Sequence, residues 1–223
     1  MKKDFLSRPD AISEQRCINY GGFSWHEFMT AIPEPFFVVT GWKANGKQNA
    51  CVQSWANFVS GGIDDFVCIL GNVYKNGHMY RSLRKTGVCV LNFPSIDADV
   101  YARCIKTIGN NAYETDEITA AGLTAEKASK VNAPRIKECF LNIECEFLWK
   151  RALCAGSKTL TVALKALNIC MDSDRYDQSK LGRYGKGGYL FHIHCPVNPE
   201  TGEDAPYGIG TIALDHSIPW KTK

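Results

Sequence analysis

Hydrophobic positions arrive along this chain in short runs parted by turn formers, and seldom with helical spacing. Phe36 to Trp42 is one apolar run, and Ala44-Asn45-Gly46-Lys47 after it is a hairpin signal. Asn49 to Val59 then reads as the returning partner strand. Gly61-Gly62 breaks it, and Asp65 to Asn72 is a third strand. Val88 to Phe93 is a buried run ended by Pro94. Cys139, Leu141, Ile143, Cys145, Phe147 and Trp149 alternate with the residues between them, which include Glu138, Asn142, Glu144 and Glu146. That period of two predicts a strand with one wet face. Leu160, Val162, Leu164 and Ala166 alternate too. Leu167 and Ile169 then follow one residue out of phase, as a β-bulge would produce. Gly188 to Cys195 is the last predicted strand.

Helical signals are few. Ser24 and Glu27 have the spacing of a capping box, which predicts a short helix over 24–29. Asn76 is the expected N-cap of a helix running through Lys85, with Met79, Tyr80 and Leu83 on one face and Gly87 as its stop. Asp97 to Lys106 is a further helix. The first 30 residues read as an arm, Gly109 to Pro134 as an irregular excursion, and the tail from Pro196 as loop. Antiparallel strands with few helices point to a β-barrel or sandwich and away from a parallel α/β sheet.

Composition narrows the partners. At 223 residues the chain makes one large domain or two small ones, and an apolar fraction of 45% gives it a sizeable core. A net charge of +3, evenly spread, is too small to argue for nucleic acid. No apolar stretch follows Lys2-Lys3 as a signal peptide would require, and no run approaches the ~18 residues of a membrane span. A soluble, cytoplasmic protein with no membrane partner is the expectation. Ten cysteines without a Cys-x-x-Cys pair then read as buried, reduced thiols.

Candidate chemistry gathers at strand ends. Gln53 and Ser54 interrupt an apolar run just before Trp55. Neighbours on a strand face opposite ways, so both meet one ligand only if the chain bends or backbone groups help. A glutamine amide can donate and accept, which suits the mixed edge of a flat polar ring. Lys75-Asn76-Gly77-His78 places a cation and a glycine at a helix N-terminus, where free N–H groups favour phosphate. His192 and His194 share a strand face, but no carboxylate cluster completes a metal set, so they read as structural or interface residues. No Gly-x-Ser-x-Gly elbow argues for a hydrolase. Gly185-Lys186-Gly187-Gly188 lacks the strand and helix that flank a phosphate loop, and reads as a turn.

The order of these features resembles one family. Pro33 and Pro35, Asn49-Ala50, Ser54-Trp55, Lys75, Thr86-Gly87, and Asn92 with Pro94 follow the pattern of the flavin reductase-like, FMN-binding split-barrel proteins. Gly122-Leu123-Thr124, Ala133 to Cys139 and Ile143-Glu144-Cys145 are similar to the flavoredoxin branch. The resemblance covers roughly Ile32 to Asp172. It implies a mainly β fold, a split β-barrel (an antiparallel Greek-key barrel) with a few short helices, over residues 31–195. It implies FMN as cofactor, held by Asn49, Gln53, Ser54, Trp55, Gly71, Asn72, Lys75, Gly77, His78 and Asn92. The phosphate would lie near Lys75, and the ring against Gln53 to Trp55 and Gly71-Asn72. The flavin carries the chemistry, so no catalytic side chain and no metal are expected. NAD(P)H is a candidate electron donor, and the alternative is a protein donor to a flavoredoxin-like carrier. A flavin-free structural or binding protein on the same barrel is the remaining reading. Pairing of barrels in this family implies a homodimer, with Trp25, Phe28, Trp149 and the arm as the parts most in need of a partner surface. One motif departs. Where many of the family's reductases carry Gly-Asp-His-Thr, this chain has Gly156-Ser157-Lys158-Thr159, which puts direct NAD(P)H oxidation in doubt.

Overall fold

The computed structural model describes residues 32–177, 188–194 and 207–211. The chain divides into two compact units, residues 35–190 with 211–223, and residues 1–34 with 191–210. The expected helix over 24–29, Trp25, Phe28 and residues 185–187 of the expected turn lie outside the described residues.

The larger unit is built on one seven-stranded antiparallel sheet. After the two-residue β1 (Glu34–Pro35) come β2 (Phe37–Trp42) and β3 (Gln48–Gln53). They pair from Phe37↔Gln53 to Trp42↔Gln48 around the predicted hairpin turn. The single strand expected over Asn49 to Val59 is in fact two. β3 stops at Gln53, and β4 (Ala56–Ser60) pairs with β5 (Phe66–Tyr74), not with β2. A tight turn makes the break, with the Ala56 N–H donating to the Ser54 carbonyl at 2.7 Å. β6 (Val88–Pro94), β9 (Cys139–Arg151) and β10 (Thr159–Met171) complete the sheet, in the order β3-β2-β6-β9-β10-β5-β4. β3 and β4 are therefore opposite edges, yet only Ser54 and Trp55 separate them. Three Cα steps reach about 11 Å, so the sheet must curl until its edges nearly meet. The result is a barrel split at that seam, as expected.

Between β5 and β6 lies α1 (His78–Thr86), which buries Met79, Tyr80 and Leu83 as its spacing predicts. It ends on Gly87, whose φ of 71° is the left-handed value that favours glycine at a C-cap. Its N-cap is Gly77, not Asn76, and no side chain caps it. α2 (Ala98–Gly109) is capped by Asp97, whose carboxylate accepts the Asp99 N–H at 2.9 Å. The excursion before β9 holds α3 (Glu117–Ala120) and a small ladder of β7 (Ala125–Lys127) and β8 (Pro134–Ile136). α4 (Ser173–Tyr176) follows β10, where the register slips between Ala166 and Asn168, at the predicted bulge. The last strands are β11 (Leu190–His194) and β12 (Tyr207–Thr211), the latter in a tail expected to be loop. With β1 they form a three-stranded sheet, β1-β11-β12.

The barrel interior is apolar, with Phe37, Leu70, Leu91, Phe93, Phe140 and Leu164 among its buried side chains. The expected wet face of β9 is not wet in its first half, because Asn142 and Glu144 are buried beneath the excursion. Glu144 accepts the N–H groups of Ser129, Lys130 and Val131 at 2.9, 2.6 and 3.2 Å, and the Asn168 amide at 2.9 Å. Burial pushes its carboxyl up, but these donors outweigh burial and hold it below the usual range.

Candidate functional site

A cavity of about 340 Å³ lies where β3, the end of β5 and the start of α1 converge. Alternation on β3 sends Asn49, Cys51 and Gln53 to one face, and all three line it. From β5 and the entrance of α1 come Asn72, Gly77 and His78. Of the ten expected site residues, the cavity thus gathers Asn49, Gln53, Asn72, Gly77 and His78.

Its polar groups are unusually short of partners. Asn49 is 2% exposed and its Oδ1 meets no donor. Tyr80 is 3% exposed and its hydroxyl has no partner, while Nδ1 of His78 lies 3.7 Å from the Glu117 carboxylate. Buried polar atoms are nearly always hydrogen-bonded, and each orphan costs about 1–3 kcal/mol. Two on residues that line one cavity mark a surface suited to a polar ligand. α1 adds to this, since its N-terminus carries no side-chain cap and no acidic residue in the first turn. Its free N–H groups and positive dipole end are open to an anion.

The β5 contribution rests on a bulge. Leu160 pairs with Val73 and Val162 with Leu70, so Gly71 and Asn72 together face one residue of β10. Asn72 takes φ 52°, the left-handed region that asparagine enters more readily than most residues. The Gly71 N–H turns aside to the Trp55 carbonyl at 2.8 Å. Gly71 and Trp55 therefore tie the barrel seam, and the N–H groups of Gly71 and Ala56 are not available to a ring carbonyl. Ser54 is buried in that seam, and neither Ser54 nor Trp55 lines the cavity.

Two further expected residues lie elsewhere. Lys75 is exposed at the rim, where its ammonium donates to the Ser157 carbonyl and its N–H to the Lys158 carbonyl. The divergent Ser157-Lys158 turn therefore adjoins the entrance of α1. Asn92 is inside the barrel wall, 0% exposed. Its amide donates to the Val38 carbonyl and to Thr40, and its carbonyl accepts from the Ile136 N–H and the Asn142 amide. With every polar atom committed, Asn92 is a structural residue and offers nothing to a ligand.

The excursion supplies what sequence reading missed. Asn111 lines the cavity, and Tyr113 packs edge-on against His78 with ring centroids 5.7 Å apart. A buried ion pair fixes this wall. Lys43 lies 2.6 Å from Glu117, which also accepts the Ala50 N–H at 2.6 Å. The Lys43 ammonium donates to the Ala112 and Thr115 carbonyls at 2.9 and 2.8 Å. The one signal in the sequence was a lysine directly before a hairpin turn. Tyr80 was legible only as a core residue, because the face of α1 says nothing about a hydroxyl at its edge. Cys51 is no nucleophile. Burial pushes its thiol up to about 11, the Gln53 amide opposes this, and the Glu117 carboxylate adds to it.

Residues 29–186 match the Flavin reductase like domain family. No curated protein sequence matches the chain. Among solved structures, nitrilotriacetate monooxygenase component B from Bacillus cereus superposes with a TM-score of 0.74 at 16% identity, covering 98% of this chain and 100% of that one. Flavoredoxin of Desulfovibrio vulgaris (Miyazaki F) gives 0.63 at 18%, over 97% and 98%. The FMN-binding protein from Thermus thermophilus gives 0.58 at 13%, over 82% and 90%.

Proposed function

The chain belongs to the flavin reductase-like family, whose domain spans most of its length, and from that premise we propose that it binds FMN in the cavity between β3 and α1 and passes electrons through it. The observation that carries this reading is the pair of orphaned buried atoms, Asn49 Oδ1 and Tyr80 OH, on residues that line a 340 Å³ space together with the uncapped start of α1. That volume is at the lower end of small-molecule sites and favours a mononucleotide over a dinucleotide. When bound, FMN supplies reversible acceptance of electrons at its ring. The chain's own residues bind and orient it. Asn49 and Gln53 offer amide groups to the polar edge of the ring, and Gly77 and His78 present the α1 terminus to the phosphate. The Lys43–Glu117 pair, with the Lys43 bonds to residues 112 and 115, keeps Asn111 against the cavity and so limits water.

Two roles fit this site, an NAD(P)H:flavin oxidoreductase and a flavoredoxin-like carrier fed by a protein donor. The Ser157-Lys158 turn beside α1 favours the carrier, because a flexible ammonium replaces the planar imidazole of the related reductases. Loss of ~1 Å in alignment can cost on the order of 10²-fold in hydride transfer. We further propose a homodimer. Leu148 and Trp149 on β9 and Ile169 on β10 leave large apolar side chains 45–60% exposed, the kind of surface a second barrel would cover.

The deciding experiment is reconstitution with FMN, followed by anaerobic stopped-flow reduction. A bound-flavin spectrum that bleaches rapidly with dithionite and slowly with NADH or NADPH is expected. Absence of any bound flavin would end the FMN reading. Fast, saturable reduction by a nicotinamide would replace the carrier with the reductase. Light scattering at micromolar concentration tests the dimer.

A further inference from the structure

A second cavity, of about 570 Å³, opens between the β2–β3 hairpin and residues 125–134. It shares no lining residue with the first cavity. Gln48 lines this one and Asn49 the other, as adjacent positions on a strand must when a ligand site lies on each face. Its volume is in the range of about 300–1,000 Å³ that small-molecule sites occupy.

The walls are fixed before any ligand arrives. Trp42 and Gln48 are the cross-strand pair that ends the hairpin ladder. Opposite them, Glu144 holds the loop by the N–H groups of residues 129–131, and the β7–β8 ladder holds its ends. Glu126, which also lines the space, is already paired with Arg135 at 3.1 Å. Val131, Ala133 and Pro134 give an apolar floor.

Three features then point to one class of ligand. Trp42 offers a half-buried indole against which a flat ring can stack. Gln48 Oε1 is buried with no donor, and is the atom that a ligand N–H would satisfy. Lys127 and Lys130 are exposed at the rim, and among the described residues neither ammonium meets a carboxylate. The N–H groups of residues 129–131 are taken by Glu144, which leaves these lysines as the cations that can meet an anion. We propose that this cavity is a second binding site, for a nucleoside monophosphate. Its base stacks on Trp42, an exocyclic amine donates to Gln48, and its phosphate meets Lys127 and Lys130. Adenine, with an exocyclic amine and no competing carbonyl, is the base that fits.

The test is calorimetric titration with AMP, on full-length protein with and without saturating FMN. Saturable one-to-one binding with the same Kd in both states is expected. Trp42→Leu should weaken it by about 5- to 150-fold, the range for loss of one base–aromatic stack. Adenosine and ribose 5-phosphate should each bind more weakly than AMP, and Lys127→Gln with Lys130→Gln should flatten the salt dependence. The proposal is overturned if AMP shows no binding at millimolar concentration, or if FMN displaces it, which would put it in the first cavity. Wild-type AMP binding in a folded Trp42→Leu protein would overturn it as well. Should that variant not fold, Gln48→Met, close to isosteric, carries the same test.

Discussion

Asn92 and Asn49 stand one strand to either side of β2, and both are out of reach of solvent. Asn92 is saturated. Its amide and carbonyl tie together β2, β6, β8 and β9. Asn49 keeps a buried carbonyl with no donor. The same side chain is thus a rivet in one place and an open valence in the other. Burial alone does not separate structure from function here, whereas the accounting of hydrogen bonds does.

The sharpest way to break this contrast is to truncate both residues. Asn92→Ala should lose about 3–5 kcal/mol of stability, because it removes the side-chain acceptor of the Ile136 N–H and a hydrogen bond each from the Val38 carbonyl and the Asn142 amide in a fully buried place. Asn49→Ala, which removes an atom that was costing energy, should change stability by less than about 1 kcal/mol and weaken FMN by about 1–3 kcal/mol. Chemical denaturation and FMN titration of the two proteins check both halves. Equal stability losses would erase the distinction.

Glu144 belongs with Asn92, as a buried group fully served by neighbours. Its carboxyl titrates below the unfolded value, so the unfolded chain binds more protons as pH falls past that value. Its stabilisation is complete above the usual carboxylate range near 4.5 and is lost as pH drops through the lowered folded value. Melting temperatures should therefore fall from about pH 5 downwards in the native protein. Glu144→Gln should be less stable at pH 7 and should show a shallower fall. An unchanged acid limb would detach Glu144 from the loop.

These residues also show where the sequence was readable. Strand identities followed from local periodicity, and so did the hairpin, the β10 bulge and the stop at Gly87. The break at Ser54-Trp55 did not, since an apolar run on both sides of a tight turn looks like one strand, and only β4's pairing with β5 reveals two. The buried face of β9 was hidden because the excursion that covers it has no periodicity of its own. For the site, Asn49, Gln53, Asn72, Gly77 and His78 line one cavity. Asn92 did not, because a polar residue in an apolar strand looks the same whether its partners are protein or ligand.

Lys75 tests the edge of the open region. Its ammonium is exposed and already engaged by the Ser157 carbonyl, so under the proposed FMN reading it would meet the phosphate only from the rim. Lys75→Ala should weaken FMN about two- to fivefold at low salt, and the difference should vanish as ionic strength rises. A salt-independent loss much larger than this would move Lys75 into the cavity itself.

The smallest effect is expected at Asn72, where the two kinds of role meet in one residue. Its φ of 52° makes the bulge that turns β5 towards the cavity, and its side chain is part of the lining. Glycine reaches that φ without strain, so Asn72→Gly relieves a local cost. It also gives the unfolded chain more freedom, which works the other way. The two should nearly cancel, leaving stability within about 0.5 kcal/mol of the native protein and the bulge intact. FMN affinity should still fall, by a few fold, because the amide no longer faces the ligand. Melting temperature and FMN titration on one variant then separate the backbone's contribution from the side chain's. If affinity holds while the amide is gone, Asn72 serves the site only through its backbone, and the open set shrinks to Asn49 and Tyr80.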